Sequence, residues 1–185
     1  MVWKDNAIAW YEYALKTGDD SVARFMMHWI AFNFKYSNYC EYIDGKRNSE
    51  RDQIEQLCRD RYDDLKRCEL FDNPDAMRKL LEYPVLRKHK RPQGSLEPKL
   101  PDDRRLKPQN MTPEELWGMV CLGHGLKRIQ CILMTLYQIR CNLFHGSKDP
   151  NYPRDRELIE ASATLMQACM EALLHIEPPT QQAKS

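Results

Sequence analysis

Residues 21–39, SVARFMMHWIAFNFKYSNY, decide how this chain folds. Val22, Phe25, Trp29, Phe32 and Tyr36 recur at the spacing of one helix face, and Met26, Met27, Ile30 and Phe34 carry the apolar surface round its flanks. A helix apolar nearly all round leaves no face for water, so it belongs in the centre of a bundle. Trp29, Phe32 and Tyr36 read as core. Asn33 reads as a bond to buried backbone, bracing whatever lies beside it.

Working outward, the neighbouring segments supply the remaining helices. Residues 3–16, WKDNAIAWYEYALK, form one that Gly18 stops, and Asp19 or Asp20 then caps the next. Residues 49–70 form an amphipathic outer helix with Ile54, Leu57, Cys58, Tyr62 and Leu65 inward. Ser49 and Asp52 make a capping box at its start. A short helix follows Asn73-Pro74 to about Glu82. Thr112-Pro113-Glu114-Glu115 opens a long helix to about Leu143, kinked at Gly123-His124-Gly125, with His124 structural. Leu126, Ile129, Leu133, Leu136 and Arg140 form its inner stripe, and Gly146 caps it. The last helix covers 155–176, with Ala161, Ala168 and Ala172 allowing a neighbour to come close. The expected fold is therefore all-α, a helical bundle forming one domain over 1–177, with 178–185 a flexible tail.

Composition sets the boundaries of function. Lys and Arg number 28 against 27 Asp and Glu, so net charge draws the chain toward neither nucleic acid nor an anionic membrane. The first residues, MVWKDNAIAW, lack an apolar signal core, and FMMHWIAF and CILMTLY are too short to span a bilayer. The seven cysteines are widely spaced without a C-x-x-C pair, which suits small core residues better than disulfides or a zinc site. The expectation is a cytoplasmic protein with no membrane association, no cofactor and no metal. Walker, dinucleotide-binding, zincin, nucleophile-elbow and EF-hand motifs are all missing.

Residues 84–111 interrupt the helical pattern with prolines and a local basic charge. Eight Lys and Arg stand against three acids between Pro84 and Asn110. A loop this long within a domain is either a mobile insertion or a contact surface for a polyanion. In the second case Lys88, Lys90, Arg91, Arg104 and Arg105 contact RNA phosphates, joined by Lys148.

Chemistry concentrates in Ile139-Arg140-Cys141-Asn142-Leu143-Phe144-His145-Gly146. A permanent cation, an amide and an imidazole able to exchange protons near neutral pH fall where a long apolar helix meets a glycine turn. An Arg five places before a His is common by chance, so the spacing alone decides nothing. Residues five apart on a helix lie roughly 140° apart round its axis. Arg140 and His145 can converge on one ligand only if the helix ends between them or a second copy completes the site. The plain alternative is a helix-end pair bonding carbonyls or a nearby carboxylate.

IRCNLFHGSK closely resembles the I-R-N-N-L-F-H-G phrase of HEPN domains, with Arg140 and His145 in their R-x(4–6)-H motif. FMMHWIAFNFKY, residues 25–36, is similar to the W-I-A-F-N-x-x-Y phrase of their early central helix. The resemblance implies an α-helical bundle, a homodimer, and a metal-independent endoribonuclease of toxin–antitoxin, antiviral or RNA-processing systems, with an antitoxin or regulatory protein as partner. It casts Arg140 as holding the scissile phosphate, His145 as the proton-transfer group, and Asn142 as orienting phosphate or imidazole. Two departures stand out: Cys141 follows the Arg where the family favours a polar residue, and Ser147 replaces the tyrosine modified in one subgroup. The family also contains catalytically inactive modules that bind RNA or a protein partner. That reading stands beside the enzymatic one, as does a purely structural dimer.

Overall fold

Caps and glycines set the element boundaries in the computed structural model, which describes residues 2–37, 42–43, 46–47, 49–81, 113–145 and 149–175. Helix α1 spans Val2–Leu15, and Gly18 turns the chain at φ +63°. Asp20 then accepts from the Ala23 N–H at 2.9 Å and starts α2, Ser21–Tyr36. A minimal antiparallel hairpin pairs β1, Tyr42–Ile43, with β2, Lys46–Arg47; nothing in the sequence pattern announced it. The capping box forms as expected: Ser49 Oγ accepts from the Asp52 N–H at 3.2 Å, while the Asp52 carboxylate accepts from the Ser49 N–H at 3.1 Å.

Helix α3, Glu50–Asp60, ends earlier than the amphipathic pattern suggests. A break at Arg61 separates it from α4, Tyr62–Leu65, and a 3-10 turn covers Glu69–Asp72. Arg61 is held by Asp64 and reaches the Leu173 carbonyl at 3.3 Å, so the break docks onto the end of the last helix. Helix α5, Pro74–Leu81, follows.

The long helix expected from 112 to 143 is two pieces. Helix α6, Pro113–Trp117, runs into a π-helical turn, Gly118–Leu122, the chain extends through Gly123 and His124, and α7 spans Gly125–Phe144. At the glycines the helix breaks fully rather than kinking. Gly125 sits at φ +68°, and a Cβ on Gly123 would fall on the Met119 carbonyl oxygen. His124 is exposed at the start of α7, and its side chain makes no cap bond among the described residues. Helix α8 spans Pro153–Leu174 and ends on His175 in the left-handed conformation.

Helix α2 packs between α1 and α8 and also meets α3; α7 lies against α3 and α8. Phe25, Trp29, Phe32 and Tyr36 are buried as expected, but Asn33 is exposed, so it braces no buried backbone. The most enclosed stretch is the middle of α7, where every residue from Ile129 to Leu136 is buried. The stripe read from the sequence understated this, because CILMTL presents apolar or small groups to all sides. Cys58, Cys68, Cys131 and Cys169 are buried free thiols, and burial pushes the first three up to about 12. They are inert core residues. No helix among the described residues is long and apolar enough to cross a membrane, and no three His, Cys, Asp or Glu side chains there gather as a metal site. Lys88, Lys90, Arg91, Arg104, Arg105, Lys148 and the 178–185 tail lie outside the described residues.

His28 is fully buried on α2 beside the Tyr11 ring, and neither ring nitrogen has a hydrogen-bond partner among the described residues. Burial, and secondarily the Arg24 charge, lowers its pKa from 6.5 to about 4. The unfolded chain therefore binds a proton that the folded chain refuses between those values. Stability is complete above about pH 6.5 and falls as pH drops toward 4. From pH 7 to pH 5 the loss is about 2 kcal/mol. Urea unfolding of wild type and His28→Leu checks this: the variant should lose most of that acid-side slope, and an unchanged slope would refute it.

Candidate active site at the end of helix α7

Helix α7 continues unbroken past Arg140 to Phe144, and His145 is its C-cap, donating its backbone N–H to the Cys141 carbonyl at 3.0 Å. The helix therefore does not end between Arg140 and His145. Taking about 100° per residue, Gln138, Asn142 and His145 fall within an arc of about 60° on the side opposite Arg140. One end of one helix thus carries two distinct polar faces.

The Arg140 face looks onto α2 and α3. Arg140 Nη1 forms an ion pair with Glu50 Oε2 at 3.5 Å, and Glu50 Oε1 accepts from the buried Tyr36 hydroxyl. The guanidinium carbon lies 5.9 Å from the Trp29 ring centroid and 4.6 Å from that of Phe144, within cation–π range. Arg140 Nε is buried and has no hydrogen-bond partner among the described residues. About a quarter of the side chain, 24%, remains exposed, against 28% for Glu50. Burial, reinforced by the bond to Glu50, raises the Tyr36 pKa far above the ordinary phenol range; Arg140 and the Trp29 indole pull it partly back. Tyr36 is thus a neutral donor that holds the carboxylate.

The opposite face is more open. Gln138 Nε2 donates to Asn142 Oδ1 at 2.9 Å, tying Asn142 along its own helix. His145 is exposed, and its imidazole makes no hydrogen bond or ion pair among the described residues. Cys141 sits between the faces, its Sγ 4.0 Å from Arg140 Nη1. Burial, then Cys141, raises the Tyr137 hydroxyl above its ordinary value. Phe144 is 60% exposed at the edge of the site although its ring covers Arg140.

Of the expected catalytic residues, Asn142 and His145 share a face and Arg140 does not join them. Sequence reasoning missed Glu50 and Tyr36 as site residues. Glu50 reads as part of a solvated outer face and Tyr36 as plain core; the only signal is that one begins the helix following the other. The carboxylate partner that the plain reading of Arg140 calls for does exist.

No family model matches the chain, and no curated protein and no solved structure matches it.

Proposed function

We propose that the chain is a HEPN-type, metal-independent endoribonuclease whose active site is assembled from two copies. The observation that carries this reading is the run of α7 through Arg140 to a His145 cap, which puts a cation and an exposed imidazole on opposite sides of one helix end. A two-fold axis beside that end would bring the Arg140 of one copy to the His145 of the other, and the reverse, as an isologous interface permits. Arg140 then binds the scissile phosphodiester and stabilises the charge developing on phosphorus. One His145 takes the proton from the 2′-hydroxyl, the 2′-oxygen bonds to phosphorus, and the bond to the 5′-oxygen breaks. Water protonates that leaving oxygen and the imidazolium returns its proton to solvent, so each of the two equivalent sites uses the Arg140 of one copy and the His145 of the other. The products are a 2′,3′-cyclic phosphate and a 5′-hydroxyl.

Asn142 supports this through the imidazole side, since it lies on the His145 face. Lys88, Lys90, Arg91, Arg104, Arg105 and Lys148 supply phosphate contacts that give affinity without sequence choice. Toxin or antiviral activity, held in check by an antitoxin or regulatory protein, is the setting that fits such an enzyme. The alternative, a catalytically inactive HEPN module binding RNA or a protein, draws on the Glu50 ion pair that already neutralises Arg140.

Incubation of wild type with single-stranded RNA decides between them, because only the enzyme yields cyclic-phosphate ends. Oligomeric state gives a second check. Ala168 and Ala172 on α8 are partly buried against the core of their own chain. The two-copy site requires a species of about twice 22.0 kDa by sedimentation at micromolar concentration. A strict monomer would remove the geometric basis of the reading.

A further inference from the structure

Arg140 is held from three sides by residues of α2, α3 and α7. Trp29 and Phe144 flank the guanidinium with their rings, its Nε is buried, and Nη1 faces Glu50 Oε2 at 3.5 Å. Glu50 is itself restrained. It is the first residue of α3, behind the Ser49–Asp52 capping box, and the Tyr36 hydroxyl occupies its other oxygen. A carboxylate tied at one oxygen and set at a helix start has few rotamers left, so it presents one fixed edge to Arg140.

An incoming phosphate can meet only the terminal nitrogens of Arg140, because Nε is enclosed. It also approaches a cation whose charge is already balanced by a carboxylate. Two opposed consequences follow for any anion at this position. Glu50 orients the guanidinium, which favours a reaction needing a fixed donor. Its negative charge repels the phosphate, which weakens binding. A residue that serves only to hold the fold would not separate these two effects.

We propose that Glu50, anchored by the Tyr36 hydroxyl, is the positioning residue of the Arg140 anion site, trading phosphate affinity for a fixed guanidinium. This rests on the ribonuclease reading for its role in turnover, and on the geometry alone for its effect on binding.

The test uses the full chain as wild type, Glu50→Gln, Tyr36→Phe, Arg140→Ala and the double variant Glu50→Gln/Arg140→Ala. Turnover is measured on a single-stranded RNA, and affinity on the same sequence 2′-O-methylated throughout, which has no nucleophile. Glu50→Gln keeps the shape and can still accept from Tyr36, yet loses the charge. It should bind the methylated strand roughly tenfold more tightly, while its kcat falls roughly tenfold. Tyr36→Phe frees the carboxylate without removing its charge, so kcat should fall and affinity should stay at the wild-type value. The gain in affinity should vanish when Arg140 is also replaced, which shows that it acts through the guanidinium.

Equal or weaker binding by Glu50→Gln overturns the proposal, whatever the activity. So does a gain that persists without Arg140. If wild type cuts no RNA but Glu50→Gln binds more tightly through Arg140, the ribonuclease reading fails and the positioning of Arg140 stands. If wild type cuts RNA and Glu50→Gln matches it in both kcat and affinity, the reverse holds.

Discussion

If the chain is the proposed ribonuclease, His145→Ala should lower the rate of RNA cleavage by roughly 10²–10⁴-fold, the usual worth of a positioned proton-transfer group. The imidazole is exposed at the helix cap and makes no side-chain bond among the described residues, so its removal leaves the bundle intact. Circular dichroism and sedimentation of the variant should match wild type. Arg140→Ala should cost a comparable factor through lost charge stabilisation. It also strips a cation from between two rings and leaves Glu50 without its partner, so some stability goes with it.

The two variants together test the composite site. Each is inactive alone, but in a mixed dimer one site combines both defects and the other combines an intact Arg140 with an intact His145. With random exchange of subunits, activity should return to about a quarter of wild type. A substrate carrying deoxyribose at the cut position should resist, and EDTA should leave the rate unchanged, because the proposed steps use no metal. Restoration failing in a mixture shown to exchange would mean that both groups act within one copy. Activity in His145→Ala equal to wild type would end the enzymatic reading.

The second large effect is on stability. Arg128→Ala should lower the unfolding free energy by about 3 kcal/mol, because three elements hang on one guanidinium. Arg128 Nε donates to the Val120 carbonyl at 2.7 Å, Nη2 donates to the Phe71 carbonyl, and Nη1 pairs with Asp72. The side chain is only 12% exposed, whereas Asp72 is 73% exposed. The loss therefore comes mainly from two carbonyls deprived of their donor, about 1–3 kcal/mol each, while the screened ion pair contributes under about 1 kcal/mol. Lysine has one ammonium where arginine has a planar fork, so Arg128→Lys should recover less than about half. For a chain of this size the midpoint should drop by about 6–12 °C in thermal unfolding. Arg128 lies twelve residues along α7 from Arg140, so kcat below the transition should not change. A loss under about 1 kcal/mol would show that the break at Gly123 holds itself without this staple.

Features set by neighbours along the chain are legible in the sequence. The Ser49 capping box, the Asp20 cap, the Gly18 stop and the start of α5 at Pro74 depend on residues within four positions of each other. The buried face of α2 follows from its repeat for the same reason. The Gly123-His124-Gly125 segment is legible as a weak point, but not as a full break. That outcome depends on Arg128 drawing the Val120 carbonyl and the Phe71 turn together across the chain.

The end of α7 divides the same way. The sequence by itself determined that a cation, an amide and an imidazole cluster at the end of a long helix, since helical periodicity is a local property; the Gly146 cap lies outside the described residues. Only the tertiary structure decided which carboxylate reaches Arg140. Glu50, Tyr36 and Trp29 are carried by α2 and α3, and their meeting with Arg140 depends on how those helices pack against α7. It also decided that α7 continues through Phe144, so that Arg140 and His145 face apart. Periodicity specifies which side of a helix is apolar; it carries no information about which distant polar group the packed core brings within reach of the remaining side.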